Sequence, residues 1–129
     1  MRRRLATRIS RGEGQAGFTL IELLVVIIII GILLAIAIPS YIKFRDRANR
    51  SAAQANVRAA IPAMEAYYAD NSTYAGATLS YLQSTYDQGV KNINIQSATS
   101  TTYCVDSTVG AESWKKPGPG TDIVTGTCP

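Results

Sequence analysis

The dominant pattern in the chain is an unbroken apolar run, Leu23–Ile38, that follows a short arginine-rich segment. Counted from Phe18, the apolar stretch has 21 residues, close to the roughly 20 that a helix needs to cross a bilayer. The preceding arginines place the N-terminus in the cytoplasm by the positive-inside rule. Basic residues beyond the run oppose this orientation less strongly: Lys43, Arg45, Arg47 and Arg50. The pattern predicts one membrane span, with the rest of the chain outside.

Beyond Pro39 the apolar positions recur at steps of three and four residues, which is typical of an amphipathic helix. They form two stripes, Tyr41, Phe44, Ala48, Ala52, Ala55 and Ala59 in one and Val57, Ile61, Met64 and Tyr68 in the other. Because alanine, the best helix former, dominates here, we predict one helix from about Phe18 to about Ala69. Asp70-Asn71-Ser72, which favour turns over helix interiors, should end it. Pro39 and Pro62 should bend it, since proline lacks an amide donor. Such a helix is longer than a domain of this size is wide, so its first half must lie in lipid or against other copies.

Residues 71–129 are richer in Ser, Thr, Gly and Tyr and form the predicted head domain. Alternating apolar residues and turn signals predict a short helix over 78–86 and strands over 91–97, 101–109, 112–116 and 122–125. In the second strand, Tyr103, Val105 and Ser107 share one face. Trp114 is expected to pack on the sheet. The chain is therefore predicted to be α+β, with a small antiparallel sheet packed on the second half of the long helix.

Charge and composition exclude several classes of function. Five of the 13 basic residues and one of the nine acidic residues lie in positions 1–17, so the remaining chain is formally neutral. The overall positive charge belongs to positions 1–17 and is therefore no evidence for nucleic-acid binding, which requires a basic patch on the functional domain. No direct nucleic-acid site is expected. The chain has no histidine, the usual general base. With no phosphate loop or nucleophile elbow either, neither an enzyme nor a cofactor is expected.

Glu22 is a single carboxylate at the head of the apolar run. A charged side chain at the centre of a membrane helix costs roughly 2.5–3.5 kcal/mol, and less near an interface, so Glu22 is a functional candidate. Alternatively, it lies in the headgroup layer, where the first helical turn favours a negative charge.

The residues around Glu22 add a specific motif, Gly17-Phe18-Thr19-Leu20-Ile21-Glu22, preceded by a basic leader. It resembles the processing site of type IV pilins and pseudopilins, in which a membrane peptidase cuts after the glycine and methylates the next residue. The resemblance implies cleavage between Gly17 and Phe18, N-methylation of Phe18, and pairing of Glu22 with the terminal amine of an adjacent subunit. A secretory signal peptide cut after Ala35-Ile36-Ala37 is the rival, but its apolar core is typically only about 7–15 residues long.

The resemblance also divides the chain into four parts. These are a leader over 1–17 that is removed, a transmembrane and filament-core helix over 18–39, its amphipathic continuation over 40–70, and an extracytoplasmic β-rich head over 71–129. It further implies that the helix between Gly31 and Pro39 partly unwinds on assembly. A simple kink at the membrane exit is the alternative.

Cys104 and Cys128 both lie in the predicted external head. Two cysteines in an oxidising compartment predict a disulfide, and type IV pilins carry a similar C-terminal disulfide loop. Without histidine, two thiolates are an incomplete zinc site. A calcium site at Asp106, Glu112 and Asp122, as in some pseudopilins, is the less favoured alternative, because scattered loop carboxylates are usually solvated.

The expected function is a structural subunit of a type IV pilus-like filament. It would be a single-pass protein of the inner membrane before assembly and an extracytoplasmic filament component afterwards. The expected partners are other copies or related pilins, a prepilin peptidase, an inner-membrane assembly platform and membrane lipid. Two alternatives remain: a pseudopilin of a type II secretion or DNA-uptake system, and an anchored binding module that never polymerises.

Overall fold

The computed structural model describes residues 17–129, so the leader up to position 16 lies outside the described residues. The elements in chain order are helices α1 (Leu20–Asn71) and α2 (Leu79–Thr85) and strands β1 (Asn94–Gln96), β2 (Cys104–Val109), β3 (Glu112–Lys116) and β4 (Val124–Thr125). The chain divides into two compact units between Ile38 and Pro39. The predicted α+β class, with a long first helix and an antiparallel sheet, is confirmed.

Helix α1 ends where the turn-forming residues after position 69 predicted. Its last residue is Asn71, and Ser72 takes a positive φ of 55° while its N–H donates to the Tyr68 carbonyl at 2.7 Å. Pro39 and Pro62 both lie inside the helix, which continues through them. A proline removes a single amide donor, and the neighbouring turns of α1 keep their helical conformation at both sites.

The first unit presents apolar side chains that nothing in the chain covers. From Leu20 to Ile38, each large hydrophobic side chain is between 48% and 88% exposed. An 18-residue window in α1 reaches a mean hydropathy of 3.3 with none of it buried. By length and composition the helix can cross a membrane, a criterion that signal sequences also meet. Such a surface in water is strongly unfavourable, so it requires lipid or other protein around it.

In the second unit, a four-stranded antiparallel sheet has the order β1-β2-β3-β4. Strand β3 has the predicted bounds, whereas β1, β2 and β4 are shorter than predicted and keep only their central or final residues. A two-residue turn joins β2 to β3, and its first residue, Gly110, has a φ of 61°. Trp114 faces Ser107 on β2 and Thr125 on β4, which agrees with its predicted place in the sheet.

The core of this unit lies between α1, α2 and one face of the sheet. From α1 it takes Ala53, Val57, Ala60, Ala63, Met64 and Tyr67. The fully buried Leu82 of α2, Val105 of β2 and Tyr103 just before β2 also belong to it. The connecting segments add Tyr74, Ala77, Val90 and Ile93. Burying each of the larger apolar side chains contributes about 1.5–3 kcal/mol. Of the two predicted stripes, the second therefore supplies core residues, while the first (Tyr41 to Ala59) is exposed in the single chain.

A polar contact also joins the helix to the sheet. The Asn56 side-chain amide donates to the Ser107 hydroxyl at 3.1 Å, and that hydroxyl donates to the Asn92 carbonyl at 2.6 Å. Ser107 is fully buried, so the two bonds satisfy a group that would otherwise be costly to desolvate. The contact fixes how α1 lies against β2.

Candidate functional site

The predicted processing and assembly residues lie together at the head of α1. Gly17 and Phe18 precede the helix and are exposed, with Phe18 80% accessible. Thr19 caps the helix: its hydroxyl accepts from the Glu22 N–H at 3.3 Å, and the Glu22 carboxylate accepts from the Thr19 N–H at 3.5 Å. This reciprocal pair is a capping box.

The capping box shows what Glu22 does in the single chain. Its carboxylate satisfies one of the free N–H groups at the helix start, where the helix dipole also favours negative charge. The bond is long and both groups are exposed, so the carboxylate keeps acceptor sites for a second partner. Sequence reasoning quoted Thr19 within the motif but missed its capping role, which the spacing Thr-x-x-Glu before an apolar run signals.

Gly31 and Pro39, the predicted flexibility residues, both lie within α1. A Cβ added at Gly31 would meet no atom within 4 Å. Packing within the chain therefore does not require a glycine there. What the glycine provides is either backbone freedom or room for another molecule.

The predicted disulfide is present between Cys104, the first residue of β2, and Cys128, with their Cα atoms 5.9 Å apart. Asp106, two residues along the same strand, supports the cysteine loop. Its carboxylate accepts from the Cys128 N–H at 2.6 Å and from the Asn94 side-chain amide at 2.9 Å. Asp106 is only 2% exposed, and no local sequence signal marked it as the group that binds this loop.

The three acidic residues weighed as a calcium site are not brought together. Asp106 holds the cysteine loop, and Glu112 forms an ion pair with Arg50 at 3.6 Å. Over residues 17–129, no group of three or more His, Cys, Asp or Glu side chains could hold a metal ion. The described part of the chain therefore does not support a calcium site at these three residues.

Two shallow polar grooves lie on the surface of the unit that begins at Pro39. One, of about 490 Å³, is lined by Asn92, Ile93, Asn94, Thr108, Val109 and Gly110. The other, of about 380 Å³, is lined by Arg58, Ile61, Lys116, Thr121, Asp122 and Ile123. In the second groove the Lys116 ammonium donates to the Thr121 carbonyl, and Arg58 is exposed. The exposed charges of this groove are the Arg58 guanidinium and the Asp122 carboxylate, because Lys116 is only 8% exposed.

Comparison with known proteins identifies the family. The model of the prokaryotic N-terminal methylation motif matches residues 14–38, and the model described as type IV minor pilin ComP, DNA uptake sequence receptor, matches residues 39–115. The type IV wide pilus major component PilA4 of Thermus thermophilus is 37% identical over 91 residues, which are 69% of this chain and 70% of that protein. The chain belongs to the type IV pilin family.

Further type IV pilins and pseudopilins match shorter parts of the chain. The type IV major pilin protein PilA of Myxococcus xanthus is 45% identical over 69 residues, 53% of this chain and 31% of that relative. Type II secretion system core protein G of Pseudomonas aeruginosa is 40% identical over 60 residues, 46% of this chain and 42% of that relative. The chain thus spans less than half the length of these two relatives. The predicted resemblance is confirmed, and the family is one of structural proteins.

Proposed function

We propose that this type IV pilin is a structural subunit of a pilus-like filament, assembled through its N-terminal helix. One observation carries the proposal. The methylation-motif match over residues 14–38 coincides with the first part of α1, Leu20–Ile38, in which every large apolar side chain is exposed in the single chain. Such a helix needs lipid before assembly and neighbouring subunits after it.

Processing is proposed at the Gly17–Phe18 bond. Gly17 and Phe18 precede the helix and are exposed, so a peptidase can reach the bond without unwinding α1. Hydrolysis adds water across the bond, leaving a carboxylate on the leader and a free amine on Phe18. The amine then takes a methyl group from a sulfonium methyl donor, which leaves as a thioether while the nitrogen loses a proton. The mature chain then begins one residue before the capping Thr19.

Glu22 is proposed to pair with the amine of Phe18 in an adjacent subunit. In the single chain its carboxylate accepts a long bond of 3.5 Å from a neutral N–H. An ammonium donor forms shorter and roughly twice as strong hydrogen bonds. The carboxylate can therefore exchange a weak partner for a strong one, and each pair would set the axial position of one subunit against the next.

Substitutions at Glu22 and Thr19 separate this role from capping. Glu22→Gln keeps a capping box, which accepts Gln as well as Glu, but removes the charge. Processing and membrane levels should stay near normal in Glu22→Gln, while filament yield falls at least tenfold, as in Glu22→Ala. Thr19→Ala, which removes the cap and keeps the carboxylate, should still assemble. Normal filaments from Glu22→Gln would contradict the pairing.

Mass spectrometry of the protein from membrane and surface fractions tests the pathway itself. The proposal expects a chain that starts at an N-methylated Phe18. A start at Ile38 would instead indicate cleavage after Ala37 and a secreted domain, and a start at Met1 an unprocessed anchor. Either result would end the filament proposal.

A DNA-uptake pilin is the second candidate function. The match over residues 39–115 is to a family described as a DNA uptake sequence receptor, and Arg58 is an exposed cation of the second groove that can contact a phosphate. Binding of duplex DNA to the processed chain in detergent should weaken steeply between about 50 and 200 mM salt. Arg58→Glu should reduce that binding, and Asp87→Asn, a change outside the groove, should not. Binding unaffected by Arg58→Glu would exclude this groove.

A further inference from the structure

Charge is segregated along the unit that begins at Pro39. We define a basic segment, Lys43–Arg50, which carries four basic residues and one acidic residue, Asp46. We define an acidic segment, Ala59–Val90, which carries three carboxylates and no basic residue. The carboxylates are Glu65, Asp70 and Asp87, all on exposed residues. A basic segment and an acidic segment on one chain can form complementary electrostatic contacts with the opposite segments of another copy.

Within the chain, the two segments do not neutralise each other. In the part of the chain that the structure describes, the ion pair of the basic segment joins Arg50 to Glu112, outside the acidic segment. Lys43, Arg45 and Arg47 form none there. Arg47 and Glu65 are 18 residues apart on α1, which corresponds to about 27 Å along a helix. This separation exceeds the reach of the side chains and the Debye length of about 8 Å at physiological salt.

The carboxylates of the acidic segment are held in place by neutral donors. The Tyr74 hydroxyl contacts both oxygens of Glu65 at 3.2 Å, the Tyr86 hydroxyl donates to Asp70 at 2.6 Å, and the Gly89 N–H donates to Asp87 at 2.7 Å. None of these donors cancels a charge. Each carboxylate retains free lone pairs, so the segment presents positioned, uncompensated negative charge.

From this arrangement we infer that the basic segment of one copy docks against the acidic segment of a second copy in the filament. The inference rests on the proposed function and adds a second determinant of the stagger between subunits, beside the pairing of Glu22 with the Phe18 amine. The aliphatic run Leu23–Ile38 offers nearly uniform packing at many axial offsets, because dispersion and apolar burial have little directionality. Complementary charged segments favour the offset that superposes them and disfavour offsets that place like charges together.

A cycle of charge variants in the full-length chain tests the docking. Arg45→Glu with Arg47→Glu should lower filament yield about tenfold, since a well-placed exposed ion pair changes an equilibrium by up to about fivefold and reversal adds repulsion. Glu65→Gln with Asp70→Asn keeps acceptors for both tyrosines but removes two charges, and should lower yield by a few-fold. A chain with all four substitutions should give more filament than the chain with Arg45→Glu and Arg47→Glu alone. The two introduced glutamates then face uncharged side chains instead of carboxylates.

The control is Lys91→Glu with Lys115→Glu, an equal charge change at one exposed and one half-buried residue outside both segments and outside the groove that contains Arg58, and this variant should assemble normally. Docking is overturned if the combined variant loses filament yield by the product of the fold-losses of the two separate variants. That result would be expected if the basic segment bound lipid headgroups or DNA instead. Docking is also overturned if the control loses as much yield as the reversed chain. If the wild-type chain is processed but forms no filament, the proposed function fails and the docking with it. If the wild-type chain and Glu22→Gln behave as proposed but the fold-losses of filament yield in the cycle multiply, only the docking fails.

Discussion

Replacing Asp106 with asparagine removes one charge from the centre of the head and changes almost no volume. The carboxylate accepts from the Cys128 N–H at 2.6 Å and from the Asn94 amide at 2.9 Å, and it is 2% exposed. Asparagine supplies one acceptor oxygen, so one of these donors must face an NH₂ group. Losing a hydrogen bond to a charged group costs about 1.5–3 kcal/mol. Because Asn is nearly isosteric with Asp, no cavity term is added.

We therefore expect Asp106→Asn to lower the free energy of unfolding of the head by about 2 kcal/mol. For a domain of up to about 100 residues, this corresponds to a fall in Tm of about 8–16 °C. Thermal unfolding should be followed by near-ultraviolet circular dichroism of the full chain in detergent. This signal reports the tyrosines and Trp114 of the head, whereas the far-ultraviolet signal is dominated by α1.

Asp122→Asn is the matched control, because Asp122 is exposed and lies on the loop before β4. It should leave the Tm within about 2 °C of wild type. If Asp106→Asn shifts the Tm no more than this control does, the buried carboxylate does not stabilise the cysteine loop. The effect should also shrink after reduction of the disulfide, since the Cys128 N–H is then no longer tethered beside Asp106.

Three further changes test other contacts of the head. Replacing both Cys104 and Cys128 by serine opens a loop of about 25 residues and should cost about 3.5 kcal/mol in the chain-entropy model, measured by urea unfolding under oxidising conditions. A hydrogen bond to the Asp70 carboxylate raises the pKa of Tyr86 from 10 to about 12. The folded state therefore favours the neutral phenol. The resulting contribution to the free energy of unfolding is complete below pH 10 and is lost as the pH rises toward 12. Unfolding by urea from pH 8 to 11.5 should show that loss, and Tyr86→Phe should make the decline shallower; an unchanged slope would contradict the contact. Gly110→Ala places a Cβ at a φ of 61° and should cost about 1–2 kcal/mol, with a Tm equal to wild type as the contrary result.

Much of this fold follows from local sequence signals. The apolar run, the alanine-rich periodicity and the turn residues after position 69 predicted one helix, and α1 spans Leu20–Asn71. The polar alternation predicted strands whose cores are β1, β2 and β4, and β3 has its predicted bounds. These signals suffice because helix period, turn chemistry and strand alternation act over a few neighbouring residues. The motif around Glu22 likewise identified the family without any structure.

Tertiary structure decided what periodicity left open. Two apolar stripes followed the same alanine-rich helix, and only the position of the sheet determined that Val57 and Met64 are buried while Tyr41 and Phe44 are exposed. The alternation of the predicted strand placed Asp106 on the face opposite Tyr103 and Val105, yet Asp106 is enclosed because the disulfide brings Cys128 back onto β2. Both outcomes depend on contacts between residues far apart in the chain. The local sequence shows which side chains are apolar or charged, but only tertiary packing determines which of them contact each other.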